Sequence, residues 1–187
     1  MAPVQVTSTD ISDVKLITPV RHGDARGFFV ELFRADVLRQ HGIAVEFIQD
    51  NQAFSAAANV VRGLHFQTRP AAQAKLLRVA AGAVIDVAVD LRRGSPTYGR
   101  HIAVELSAET GTHIFIPEGF AHGYRTLVPN TEVIYKVNRY YSPENDRGLR
   151  WDDPALGIAW GVTAEAAVLS DKDRRQPLFA ELPAYFD

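Results

Sequence analysis

The chain has 187 residues, enough for one domain with a sizeable core and too few for two, so a single domain over 1–187 is expected. Its 47% hydrophobic and 22% charged residues are those of a globular protein, and a net charge of -2 supplies no global attraction to nucleic acid or an anionic membrane. The absence of cysteine excludes disulfides, thiolate metal sites and cysteine nucleophiles.

Residues 1–13 lack a basic start followed by an apolar run, and the longest apolar stretch, 79–89, is broken by Asp86; no membrane segment is expected, and the cytoplasm fits best. In chain order, Val14-Lys15-Leu16-Ile17 predicts an edge strand stopped by Pro19, with the first dozen residues exposed or docked on a partner. Gly23-Asp24-Ala25-Arg26-Gly27 is a turn by composition that feeds an aromatic strand over 28–33, flanked by Arg26 and Glu31. A short helix is expected over 34–41, ended by Gly42 in the left-handed conformation, then a strand over 45–51. Val60-Val61-Arg62-Gly63-Leu64-His65-Phe66-Gln67 predicts another strand. In plain alternation Arg62, Leu64 and Phe66 share one face, while Val61, Gly63 and His65 share the other.

The segment 75–91 reads as a hairpin of two core strands around Gly82, with Asp86 pointing away from Ile85 and Val87. Residues 101–106 alternate again, a further hairpin begins at Gly111, and 132–137 is one more strand. Short strands recurring roughly every ten residues, with Gly and Pro turns between them, predict an all-β sandwich or barrel. The tail differs: Trp151-Asp152-Asp153-Pro154 and Trp160 anchor a loop-rich segment, followed by short helices over 163–169 and 171–176.

Pro117-x-Gly119-x-x-His122 is the kind of corner seen in the double-stranded β-helix, or cupin-type jelly roll, with the histidine facing the barrel mouth. Metal-binding members need a His-x-His pair and a glutamate; here the matching position holds His65-Phe66-Gln67, so a metal-free site is expected. Arg26, Arg62, Lys75, His122 and, if the tail folds back, Lys172 form a set suited to clamping a diphosphate. Gln49-Asp50-Asn51 adds groups for sugar or base edges, and Tyr140-Tyr141 offers a stacking surface.

Gly23-Asp-x-Arg26-Gly27-x-Phe29, Gln49-Asp50-Asn51, Arg62-Gly63-Leu64-His65-Phe66-Gln67, Gln73-x-Lys75-Leu76, Ser95-Pro96-Thr97-Tyr98-Gly99, Ile116-Pro117-x-Gly-Phe-Ala-His122-Gly, Tyr135-Lys136, Tyr140-Tyr141-Ser142-Pro143, Trp151-Asp152-Asp153-Pro154 and Ser170-x-Lys172-Asp173, taken together and in order, resemble the dTDP-4-dehydrorhamnose 3,5-epimerase family over nearly the whole chain. The resemblance implies a cupin-type homodimer without metal or cofactor. Such an enzyme inverts C3 and C5 of dTDP-4-dehydro-6-deoxy-D-glucose. It implies His65 as base, Tyr135 as acid on the opposite face and Asp173 as the carboxylate that orients His65. It carries substrate contacts over to Arg26, Glu31, Gln49, Asp50, Asn51, Arg62, Lys75, His122, Tyr141 and Lys172. Where the family usually has glutamate this chain has Asp146, a shorter contact for which Glu144 is a substitute.

From the residues alone other readings stand beside these. Asp173 is also the acidic residue of a Ser170-x-x-Asp173 capping box, Tyr135 a half-buried strand aromatic, and Asp86 a rival carboxylate for His65. A C3-only or C5-only epimerase, a non-catalytic nucleotide-sugar-binding jelly roll and a metal-dependent cupin enzyme are the competing functions. The chemistry suits the first assignment: a histidine accepts a proton at neutral pH, with an ordinary pKa of about 6.5, and a tyrosine at about 10 donates one.

Overall fold

Alternation decides which way each strand's side chains point, and two sheets packed face to face use both directions. The computed structural model describes residues 4–187; of the opening stretch expected to be exposed or docked, residues 1–3 lie outside the described residues. The strands are β1 (Val4–Ser8), β2 (Lys15–Pro19), β3 (Arg21–Asp24), β4 (Gly27–Val30), β5 (Gln49–Ser55), β6 (Val61–Gln67), β7 (Lys75–Ala81), β8 (Ala83–Asp90), β9 (His101–Ser107), β10 (His113–Ile116), β11 (Phe120–Thr126), β12 (Thr131–Val137) and β13 (Asp146–Gly148). Two short helices, α1 (Ala35–Gln40) and α2 (Asp171–Arg174), complete the regular structure, with a single 3-10 turn at Phe179–Glu181. This is the expected all-β jelly roll with a short C-terminal helix. No helix among the described residues is long and apolar enough to cross a membrane.

The larger sheet runs β1-β2-β10-β7-β12-β5 and the smaller β13-β6-β11-β8-β9, with all pairs antiparallel. Along β8, Val84 and Ala88 point between the sheets, where they meet Leu77, Val79, Ile114 and Val133. Val87 and Val89 point outward onto Leu64, Trp151 and Phe186. A third cluster, Ile17, Leu76 and Phe115 under Leu38 and Ile43, holds α1 on the outer face of the larger sheet.

Several expected elements move. β7 and β8 do not form a hairpin: β7 lies in one sheet and β8 in the other, joined across the sandwich at Gly82. β10 likewise pairs with β7 and β2 rather than with a sequence neighbour. A two-residue alternation is the same for strands that pair edge to edge and strands that pack face to face, so the local pattern could not separate them. β2 is interior, flanked by β1 and β10, so β1 and β5 are the edges. The aromatic strand ends at Val30, and β3–β4 stand as a separate ribbon with Phe28 and Phe29 exposed. The strand expected at 45–51 begins at Gln49, and 163–169 forms turns rather than a helix, with Val168 bridging to Val60.

One buried ionic knot fastens the end of β8. Asp90, fully buried, accepts from Arg92 Nε at 2.9 Å and Nη2 at 2.8 Å, and from Ser95 Oγ and Thr97 Oγ1 at 2.6 Å each. Burial pushes the Asp90 carboxyl up, but these donors outweigh it and hold it at about 2. Asp90→Ala is expected to cost about 3 kcal/mol, because it takes the buried acceptor from the Ser95 and Thr97 hydroxyls and leaves the Arg92 guanidinium with only Asp13, 2.8 Å away, read as a lower urea midpoint with unchanged slope. The folded value lies below that of an unfolded aspartate, about 3.9, so the stabilisation is present above pH ~4 and lost as pH falls towards ~2. Asp90→Asn should flatten that part of the acid-unfolding curve.

Candidate active site

The site starts from an irregularity in β6. Against β11, His65 pairs with His122 and Arg62 with Tyr124, so three steps on β6 span two on β11. This one-residue bulge overturns the plain alternation: Arg62 and His65 both face the barrel interior, while Val61, Leu64 and Phe66 together face the tail. Glycine makes it possible. Gly63 has φ +124°, and a Cβ there would lie 2.6 Å from Gly123 Cα and 2.8 Å from the His122 carbonyl oxygen.

The tail then supplies a carboxylate. Asp173 Oδ1 lies 2.5 Å from His65 Nε2, and Ser170 Oγ donates to Asp173 Oδ2 at 2.8 Å while accepting from the Asp173 backbone N–H at 3.1 Å. The helix-cap reading and the histidine-partner reading of Asp173 therefore hold together: the cap of α2 is what aims the carboxylate. Burial pushes Asp173 up, but the hydrogen bond and charge of His65, with Ser170 and Lys172, hold it below the usual range. Asp86 is taken elsewhere, 2.9 Å from His122 Nε2. Burial holds His122 low, against the pull of Asp86, so a neutral imidazole donates Nε2–H to the carboxylate.

From the other sheet, Tyr135 of β12 and Lys75 of β7 close the space. The cavity between the walls measures about 270 Å³ and is lined by Arg62, His65, Lys75, His122, Tyr124, Tyr135 and Asp173, with Ser170 and Lys172 at its lip. A second basin of about 210 Å³ adjoins it, sharing His65, Lys75, Tyr135 and Lys172 and adding Gln67, Gln73, Tyr141 and Asp146. Burial pulls the Lys75 ammonium down to about 8, opposed by the charges of Asp86 and Asp146. The Tyr135 phenol is raised by burial, with Arg62 opposing, and stays protonated at neutral pH. Asp146 accepts from Lys172 and, at 3.0 Å, from the Tyr141 hydroxyl, whereas Glu144 is exposed and outside both basins.

Five expected contacts stand beside the His65 cavity or away from it. Gln49 and Asn51 flank the cavity on β5, with Asn51 opposite Tyr135, and are bonded to each other at 2.8 Å. Asp50, one residue between them, faces the other way and pairs with Lys136 at 2.7 Å, so it cannot share a ligand with them. Arg26 is 90% exposed and paired with Asp24 at 2.6 Å, and Glu31 follows the ribbon, 3.9 Å from Arg34; neither lines the His65 cavity. Sequence reasoning missed Tyr124, although its place two residues after His122 on one strand was a usable signal. Among the described residues no group of three or more His, Asp or Glu side chains is placed to hold a metal ion.

A family model described as dTDP-4-dehydrorhamnose 3,5-epimerase matches residues 8–181. The chain is 51% identical over 179 residues to a protein of that description from Sinorhizobium fredii, covering 96% of this chain and 91% of the relative. A structure of the epimerase from Bacillus anthracis with TDP and pyrophosphate bound superposes with TM-score 0.92 at 47% identity, covering 95% of this chain and all of that one. A Legionella pneumophila 3,5-epimerase in complex with dTDP-4-keto-L-rhamnose superposes with TM-score 0.93 at 41% identity, covering 97% and 96% of the two chains.

Gly63→Ala is expected to destabilise the protein by roughly 3 kcal/mol, through overpacking against Gly123 and a left-handed backbone that alanine resists. Thermal melting checks this, and a variant that melts like the parent would mean the bulge does not depend on glycine.

Proposed function

The chain belongs to the dTDP-4-dehydrorhamnose 3,5-epimerase family, and from that premise we propose how its cavity performs the reaction. The enzyme is an isomerase that converts dTDP-4-dehydro-6-deoxy-D-glucose to dTDP-4-dehydro-L-rhamnose by inverting C3 and C5. Both carbons flank the C4 ketone, which acidifies their hydrogens, so each inversion needs one group to remove a proton and another to return one from the opposite face. The observation that carries the assignment is that His65 and Tyr135 stand on opposite sheets across one cavity.

His65 is the base. With Nε2–H donated to Asp173, the lone pair for the substrate proton is on Nδ1, and the carboxylate stabilises the imidazolium as it forms. Tyr135, kept protonated by burial, returns the proton. Lys75 donates to the C4 oxygen as negative charge develops there, a contribution of about 3 kcal/mol for one such donor. Each inversion leaves His65 protonated and Tyr135 ionised, so exchange with solvent resets the pair before the second carbon reacts. No metal or other cofactor enters this scheme.

Arg62 and Lys172 are the proposed diphosphate contacts, His122 and Asn51 with Gln49 the sugar-side contacts, and Tyr141, beside Asp146 in the second basin, the stacking surface for thymine. The homodimer is part of the proposal: Arg26 and Glu31, remote from their own cavity on a ribbon with exposed Phe28 and Phe29, reach substrate only when the ribbon extends to a second copy. The proposed compartment is the cytoplasm, because a doubly charged nucleotide sugar does not cross a bilayer unaided.

Incubation of the substrate in deuterated water with a chelator, followed by NMR, is expected to place deuterium at both C3 and C5 and to give the L-lyxo product. Label at one carbon would indicate a single-site epimerase, and none despite binding a non-catalytic module. His65→Ala and Tyr135→Phe should each lower turnover at least about 100-fold; wild-type turnover in either would sink the scheme. Because Lys75 titrates near 8 and works charged, kcat should fall as pH rises through that value. Lys75→Met should lose about 100-fold and abolish the basic limb of the pH profile.

A further inference from the structure

Tyr124 takes no part in that scheme, yet it sits in the wall of the same cavity. Its side chain is 4% exposed, its ring centroid is 6.4 Å from that of His122, and its hydroxyl has no hydrogen-bond partner among the described residues. Ser55 stands beside it but outside hydrogen-bonding geometry, its Oγ accepting from Arg62 Nε at 3.3 Å. Burial pushes the phenol up to about 12, so it is a neutral group that can both donate and accept. A buried hydroxyl left unsatisfied is destabilising, and native structures seldom keep one without a use.

The neighbouring polar groups are engaged: His65 by Asp173, His122 by Asp86 and Arg62 by Ser55 and the Phe54 carbonyl. Asp86 Oδ1 is also unpartnered, but Asp86 does not line the cavity. On the substrate side the sugar ring carries two free hydroxyls, at C2 and C3. The C3 hydroxyl changes face during the reaction, so no fixed group can hold it in both substrate and product. The C2 hydroxyl does not move. We infer that the Tyr124 hydroxyl is the fixed partner of the sugar's C2 hydroxyl, a specificity contact that anchors the ring while C3 and C5 invert between His65 and Tyr135.

This assignment rests on the epimerase reading, and the test separates the two. Wild type and Tyr124→Phe are compared on dTDP-4-dehydro-6-deoxy-D-glucose and on its 2-deoxy counterpart, following deuterium at C5 by NMR. Wild type should prefer the hydroxylated sugar by about 30-fold in kcat/KM, and Tyr124→Phe by less than about 3-fold, with the loss falling mainly on KM. Removing an unpartnered hydroxyl should leave the melting temperature of the free protein unchanged or raise it. A variant that keeps the wild-type preference overturns the assignment. So does a lowered melting temperature matched by Ser55→Ala, which would make the hydroxyl part of a Ser55–Arg62 network. Wild type inert towards both sugars would overturn the epimerase reading, and this contact with it.

Discussion

Two glycines facing each other across neighbouring strands carry the site. A Cβ on Gly63 would meet Gly123 Cα at 2.6 Å, and one on Gly123 would meet the Arg62 carbonyl oxygen at 2.7 Å and Gly63 Cα at 3.1 Å. Without side chains between them the strands approach closely enough for β6 to absorb one extra residue while its hydrophobic set still faces the tail. Everything downstream follows from that shift: Arg62 and His65 share a face, His65 lies opposite His122, and both look across the barrel at Tyr135. A bulge costs a strand one ladder bond and returns a re-aimed side chain.

Electrostatics then divide the cavity's groups by task. Asp173 holds His65, Asp86 holds His122 and Asp146 holds Lys172 at the lip. Among the described residues Arg62 and Lys75 have no carboxylate partner, and they face the space where the proposed diphosphate and developing enolate would bring negative charge. Burial sharpens the same division. It raises Tyr135 so that the phenol stays protonated, and it lowers Lys75 only to about 8, so that the ammonium is still mostly charged at neutral pH. One environment thus tunes an acid and a cation in opposite directions, because desolvation penalises whichever form is charged.

The tail does more than cover the smaller sheet. Trp151 and Trp160 pack edge to face with centroids 5.9 Å apart, the Trp160 indole donates to the Trp151 carbonyl at 2.7 Å, and both join Leu64 and Phe66 in one apolar cluster. That cluster seats the segment that ends in α2, four residues long, whose Ser170 cap fixes Asp173. A helix so short has little stability of its own and owes its position to the packing before it. The histidine and its carboxylate, 108 positions apart in sequence, are joined by the two faces of one strand: Leu64 and Phe66 bind the tail, and His65 receives what the tail delivers.

Much of this was legible in the sequence. Period-two alternation between Gly and Pro turns determined an all-β sandwich or barrel, because strands half-buried on one face cannot hide that pattern, and ordered motifs along the chain determined the family and singled out His65, Tyr135 and Asp173 for the proposed chemistry. Ser170-x-x-Asp173 read correctly as a helix start. Only the tertiary structure decided which strands pair and which pack across the core, as at β7 and β8, since both arrangements bury the same residues. It alone decided that Asp173 reaches His65 while Asp86 reaches His122, that Asp50 turns away from Asn51, and that Tyr124 lines the cavity with a buried hydroxyl that has no partner among the described residues. The reason is physical: alternation fixes a side chain's face only relative to its own strand, and the bulge at Gly63, which reverses that face midway along β6, depends on Gly123, sixty positions away and in contact only once the sheet has formed.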